Sequence, residues 1–181
     1  MKNKRIQFGY IWDRVSRKLQ GWKERTFSPG GKEVLLKSMV QSIPTYIMSC
    51  FILPDSLDKD IEATCAHFWW GNSSDHKKVY WKKWAGLCRP KSEDGLGFRD
   101  LSYFNQAFLG KQVWRFIHRP NSLLTRVFKA KYFHSSTIWI ATANSNASYV
   151  WKRILWGRNL VAKGVRWHVG DGKSISVYNS R

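Results

Sequence analysis

Apolar residues recur along this chain at helical spacing for most of its length. In residues 5–25, Ile11, Val15, Leu19 and Trp22 step by four, four and three, which is one buried stripe of an amphipathic helix. Arg14, Arg17 and Lys18 fall mainly off that stripe. Ser28-Pro29-Gly30-Gly31 breaks the pattern, and Ser28 before Pro29 suits a helix start. The next helix is expected to bury Leu35, Leu36, Met39, Val40 and Ile43. Pro44 lacks a backbone donor, so it kinks or restarts that helix, which is expected to run on over 45–53 and stop before Pro54.

Asp55 or Ser56 is the expected cap of a third long helix. Asp58, Asp60 and Glu62 crowd its first turns, where the helix dipole favours anions. Leu57, Ile61, Cys65 and Phe68 form its apolar face, and Gly71 ends it. Trp69 and Trp70 follow the same stripe, so at least one of them belongs to the core. Residues 72–76 read as a polar loop. Residues 79–84, Val-Tyr-Trp-Lys-Lys-Trp, are β-branched and aromatic and suit a short strand or an extended clamp. Residues 89–97 form the clearest loop.

Beyond it, residues 101–118 predict a strong helix whose inner face carries Phe104, Phe108, Leu109, Val113, Phe116 and Ile117. Lys111, Arg115 and Arg119 step by four along another face, and Pro120 ends the helix. A further helix over 122–133 is expected to bury Leu123, Leu124, Val127 and Phe128 and to expose Arg126, Lys129 and Lys131. Residues 135–148 are a Ser/Asn/Thr-rich loop. Residues 147–162 are helical around Val150, Ile154, Leu155 and Val161, with Lys152 and Arg153 in that helix. Two β-like runs, 165–169 and 175–177, flank Gly170-Asp171-Gly172 and read as a hairpin. The pattern predicts a mainly α protein of about six helices with a short C-terminal β-hairpin; an α+β fold is the alternative. The expected organisation is a helical part over 1–88, a boundary loop over 89–100, and a strongly basic helical part over 101–181.

Charge changes this picture more than length does. The 181 residues carry 31 Lys and Arg against 12 Asp and Glu, a formal net charge of +19. Apolar residues make up 43% of the chain, enough to build a core, so the composition is not that of a disordered polycation. Residues 1–100 hold 18 basic and 11 acidic residues, whereas 101–181 hold 13 basic residues and the single acid Asp171. A basic surface of this kind attracts polyanions, nucleic acid first and an anionic membrane second.

The candidate chemistry is mostly excluded. Acid–base catalysis needs carboxylates, or a His with a partner, converging in a cleft. Capping explains most carboxylates here, and no Asp-Asp pair occurs for two-metal phosphoryl transfer. His118 at a helix C-terminus suits the dipole there. Gly30-Gly31-Lys32 lacks the glycine and the following Ser or Thr of a phosphate loop, and Gly95-Leu96-Gly97 lacks a third glycine at dinucleotide-binding spacing. Cys50, Cys65 and Cys88 are odd in number and widely spaced, which favours reduced thiols. Cys65 and His67, with His76 and Cys88 beyond, contain no close pair of the kind zinc uses, so no metal and no cofactor are expected. No apolar run reaches membrane-spanning length, and no apolar segment follows the basic N-terminus as a secretory signal would require. That start has the charge of a mitochondrial transit peptide but not its Ser content. The remaining signal is the basic ridge: Arg14, Arg17, Lys18, Lys111, Arg115, Arg119, Arg126, Lys129, Lys131, Lys152 and Arg153 are the candidate nucleic-acid-binding residues.

A set of short boxes stands in order along the chain. They are Gln20-Gly-Trp-Lys23, Ser28-Pro-Gly-Gly-Lys-Glu-Val-Leu-Leu-Lys-Ser38, Ser42-Ile-Pro-Thr-Tyr-Ile-Met-Ser49, Phe68-Trp-Trp-Gly71, Trp84-Ala-Gly-Leu-Cys-Arg-Pro-Lys91, Gly95-Leu-Gly-Phe-Arg-Asp-Leu101, Lys129-Ala-Lys-Tyr-Phe133 and Trp167-His-Val-Gly-Asp-Gly-Lys173. Together they closely resemble the region after the polymerase core in plant non-LTR, LINE-type retrotransposon polyproteins, from about residue 5 to the end. In that family an endonuclease and the reverse-transcriptase palm with its Asp-Asp box lie upstream. A zinc-binding segment and often a ribonuclease H domain lie downstream.

No position here matches any of those catalytic or metal-binding signatures. The resemblance therefore implies a thumb-like and connecting region that is not an enzyme. Its implied role is to hold a template–primer duplex or the element RNA, with a separate palm as a further partner and no membrane involved. The family pattern continues past position 181, which implies a truncated stand-alone copy inside the cell, in the nucleus or the mitochondrion. The alternatives are a structural relic without present activity, or an accessory part of an RNA-directed DNA polymerase supplied by another chain.

Overall fold

The computed structural model describes residues 4–22, 27–71 and 79–166. Among these the protein is mainly helical, with eight α-helices, a π-helical turn, a 3-10 turn and no strand. The expected hairpin turn and its second arm fall on residues outside the described ones, as does the polar loop over 72–76. Two compact units divide the chain, Met1–Leu109 and Gly110–Arg181.

In the first unit, α1 (Lys4–Gln20) buries Ile11, Val15 and Leu19 as its stripe predicts and packs on α4 (Asp55–Trp70). The Trp12 indole N–H donates to Thr64 Oγ1 at 3.3 Å across the same pair. Ser28 caps α2 (Pro29–Leu35): its Oγ accepts from the Gly31 amide at 3.2 Å, and Pro29 occupies the first position, where no donor is needed. A π-helical turn, Leu36–Val40, continues α2 and buries Leu36 and Val40, while Met39 turns outward. Pro44 restarts the chain as α3 (Thr45–Met48).

The helix expected to reach Leu53 stops at Met48. The reason is Asn105, which is 2% exposed. Its side-chain amide donates to Met48 O at 2.9 Å and Phe51 O at 2.8 Å, and its Oδ1 accepts from the Leu53 amide at 2.9 Å. A buried side chain therefore takes the bonds a further helical turn would have made. Orphaning those groups would cost about 1–3 kcal/mol each.

Neither expected cap serves α4. The N-cap is Pro54, without a side-chain bond, and Asp55 is already the first helical residue. Gly71 closes the helix in the left-handed conformation with φ 69°, as read from the sequence. Leu57, Ile61, Cys65 and Phe68 are buried, and Trp69 and Trp70 both pack partly buried against the core.

The 79–84 segment forms no strand. Residues 79–83 are irregular, and α5 (Trp84–Leu87) begins where Trp84 stacks on Phe98 at 4.9 Å and 9°. Residues 89–100 form a loop with one 3-10 turn (Lys91–Glu93), and Phe98 from it is buried in the first unit. Lys37 Nζ donates to Leu96 O at 2.5 Å and pairs with Glu33, which also pairs with Lys91 at 2.9 Å. The Gln41 side chain exchanges two bonds with the Arg99 backbone. At Gly95 a Cβ would collide with the Arg89 carbonyl, and Gly97 has φ 67°, so this loop requires both glycines.

The division between the units falls inside α6 (Leu101–His118), whose bounds are those expected. In the second unit, α7 (Leu123–Tyr132) and α8 (Tyr149–Gly164) are capped by Ser122 and Ser148, whose Oγ atoms accept from Thr125 N and Trp151 N. The core centres on Trp151, fully buried, stacked on Tyr132 at 4.8 Å and Phe133 at 5.5 Å, its indole N–H donating to Thr142 O. Two expected core residues of α7 are exposed: Leu123 at 75% and Val127 at 54%. Thr125 is buried instead, because its hydroxyl donates to Arg119 O at 2.9 Å and so fixes the start of the helix facing inward.

Candidate nucleic-acid interface

Within Gly110–Arg181 the described residues 110–166 contain eleven Lys and Arg and no Asp or Glu. A cation on this surface has no carboxylate within the described part of its own unit to neutralise it.

The sequence-predicted residues differ in how far the fold commits them. Lys111, Arg119, Arg126 and Lys129 are exposed, with no partner among the described residues. Lys131 is exposed and lies 5.4 Å over its neighbour, the Tyr132 ring. Arg115 is half-buried and donates to Gln112 Oε1 at 3.2 Å. Lys152 is exposed but reaches Ser145 O at 3.1 Å. Arg153 lies 4.5 Å over the Tyr149 ring, its Nε buried without a hydrogen-bond partner. Arg14, Arg17 and Lys18 are exposed on α1 in the first unit. There Arg17 Nε donates to Asp13 O, and Lys18 lies 6.0 Å over Trp22.

The fold brings two of these together on one helical face, beside Trp114 and His118. On α6, Lys111, Trp114, Arg115 and His118 stand at positions i, i+3, i+4 and i+7, opposite the buried Val113 and Phe116. Trp114 and His118 stack with ring centroids 3.8 Å apart and 26° between planes. Gly110, one turn before Trp114, faces α8, where a Cβ would meet Val161 Cγ2 at 3.2 Å, so the packed surface of α6 reaches one edge of this face. On α7, Arg126 and Lys129 share a face at spacing i, i+3.

Two features of this unit are not legible in its charge pattern. Trp114 is marked only by its helical spacing from Lys111 and His118. Arg158, an apparent member of the basic surface, instead donates to the carbonyls of Ile138 at 3.0 Å, Trp139 at 3.0 Å and Ala141 at 2.6 Å. Its Nη1 fastens the loop before α8.

The first unit holds the titratable groups with shifted equilibria. Burial, then Glu62, Asp55 and Asp100, pushes the Asp58 carboxyl up to about 7. A value near neutrality suits a general acid or base, but Asp58 is 6% exposed, which shuts it away from a solvent-borne substrate. Burial, then Glu62, pushes the Cys65 and Cys88 thiols up to about 12, so neither is a ready thiolate nucleophile. Among the described residues no three His, Cys, Asp or Glu side chains are placed to hold a metal ion, and no helix is long and apolar enough to cross a membrane.

Fold and surface thus define a mainly helical, strongly basic protein with a carboxylate-poor second unit. Over 141 residues the chain is 40% identical to "Uncharacterized mitochondrial protein AtMg00310" of Arabidopsis thaliana, an overlap of 77% of this chain and 92% of that protein. The chain belongs to the family of that protein. It is also 37% identical over 179 residues to "Putative ribonuclease H protein At1g65750" of Arabidopsis thaliana. That overlap takes in 96% of this chain but spans only 28% of the relative. No family model and no solved structure matches the chain.

Proposed function

We propose that this protein is a retroelement-derived segment without a catalytic centre of its own, which binds nucleic acid with little sequence preference through its second unit. The observation that carries this reading is that residues 110–166 hold eleven Lys and Arg and no carboxylate, with Lys111, Arg119, Arg126 and Lys129 exposed. Lys and Arg that neutralise phosphates release condensed counterions, and this term does not depend on sequence. The order of sequence boxes supports an origin after the palm of a LINE-type polyprotein. The overlap with 28% of a much longer relative fits a segment of that kind. The name of that relative raises ribonuclease H chemistry as a question for this chain. Such chemistry needs carboxylates gathered around metal ions, and the described part of the basic unit has none.

Filter binding by the full chain tests the proposal. Single- and double-stranded probes of unrelated sequence are expected to be retained at low salt and lost between about 50 and 200 mM salt. No retention at low salt contradicts the binding. Metal-dependent primer extension or RNA cleavage by the purified chain contradicts the absence of a catalytic centre.

A further inference from the structure

We infer that the Trp114–His118 stack on α6 is a base-stacking platform, and that the second unit therefore prefers unpaired nucleic acid to duplex. This inference rests on the nucleic-acid reading above and names the substrate class for it.

A tryptophan in a small helical domain ordinarily gains most by burying its indole. Trp151 does so in this unit. Trp114 does not: it is 44% exposed, on the face of α6 opposite Val113 and Phe116. Its ring is nevertheless held. The His118 imidazole lies against it at 3.8 Å, and His118 Nδ1 is 3.3 Å from Trp114 O, which fixes the imidazole to the same turn. An indole oriented in advance loses less rotamer freedom when a ligand stacks on it.

The surroundings select the ligand. Lys111 lies one turn before Trp114, Arg115 beside it and Arg119 one turn after Arg115. A flat aromatic surface flanked by cations along one helix matches a strand whose bases are available and whose phosphates repeat alongside. A duplex offers the phosphates but keeps its bases stacked on each other. An acidic protein partner would also meet the cations, but it has no need of an indole held open. Stacking of a base on an aromatic side chain contributes about 1–3 kcal/mol and tolerates any base.

The test uses the full chain with 20-nucleotide oligo-dT and oligo-rU, and a DNA duplex of the same length. Trp114→Ala is expected to lower affinity for both single strands about tenfold, to change duplex affinity less than twofold, and to leave the salt slope unaltered. Trp114→Phe, which keeps a ring, is expected to recover part of the loss. Oligo-dT is expected to quench the tryptophan fluorescence of the native chain more than that of Trp114→Phe. Far-ultraviolet circular dichroism identical to the native chain keeps misfolding out of the comparison. If Trp114→Ala loses affinity equally for single strands and duplex, or for neither, the stacking inference fails while the phosphate reading stands. If the native chain binds no probe, both fail.

Discussion

Arg158 shows how a single residue can be misread by its charge. In the sequence it is one more cation in a basic half. In the fold its guanidinium holds three carbonyls of the loop before α8. Hydrogen bonds from a charged donor contribute about 1.5–3 kcal/mol each, and carbonyls left unpaired add a penalty. Arg158→Met keeps the apolar stem and removes the bonds, so it is expected to destabilise the second unit by about 3 kcal/mol. Thermal unfolding followed by near-ultraviolet circular dichroism reads this as a clear fall in midpoint; an unchanged midpoint would contradict the assignment. Asn105 was equally hidden, because its three backbone partners lie 52–57 positions away and no local pattern points to them. Lys111, Arg119, Arg126 and Lys129 could be read directly, because an exposed cation on a helix needs only its spacing to be placed.

At the level of elements, what could be read was what local chemistry decides. Ser28 and Gly71 mark their helix ends as expected, and α6 has the bounds its apolar period gives. What could not be read was decided by distant partners. Asn105 ends α3 early, Trp84 leaves the strand-like run to stack on Phe98, and Thr125 turns α7 so that Leu123 and Val127 face outward.

The start of α4 combines both cases. Asp55 and Asp58 stand in its first turn, where the dipole favours them, but Asp58 lies on the buried face, one turn before Glu62. Its carboxyl is pushed up to about 7 by burial, then by Glu62, Asp55 and Asp100, and burial raises Glu62 as well. The folded state therefore holds a proton that the unfolded chain, with a carboxyl near 3.9, has released. Stability is greatest below the unfolded value and falls as pH rises from about 4 to about 7. Asp58→Asn is expected to be more stable than the native chain at pH 8, with the gap closing toward pH 4.5. Urea unfolding at the two pH values measures this, and a gap independent of pH would contradict it.

Over the whole molecule the net charge of +19 resolves into two unlike units. All eleven acids of residues 1–100 fall in the first unit. There Glu33 is held below the usual carboxylate range by its bonds to Lys37 and Lys91, and the Asp58 group is held above it. The second unit has the cations and, among its described residues, no acid to meet them. Under the proposed reading, the partner of this surface is a phosphate backbone. The most direct test is the slope of log affinity against log salt for oligo-dT, comparing the native chain with a variant carrying Gln at positions 111, 119, 126 and 129. Each single-strand phosphate neutralised contributes about −0.7 to that slope. The account predicts a steep slope for the native chain and one flatter by about 2–3 for the variant. Equal slopes, or a native chain that binds nothing, would contradict it.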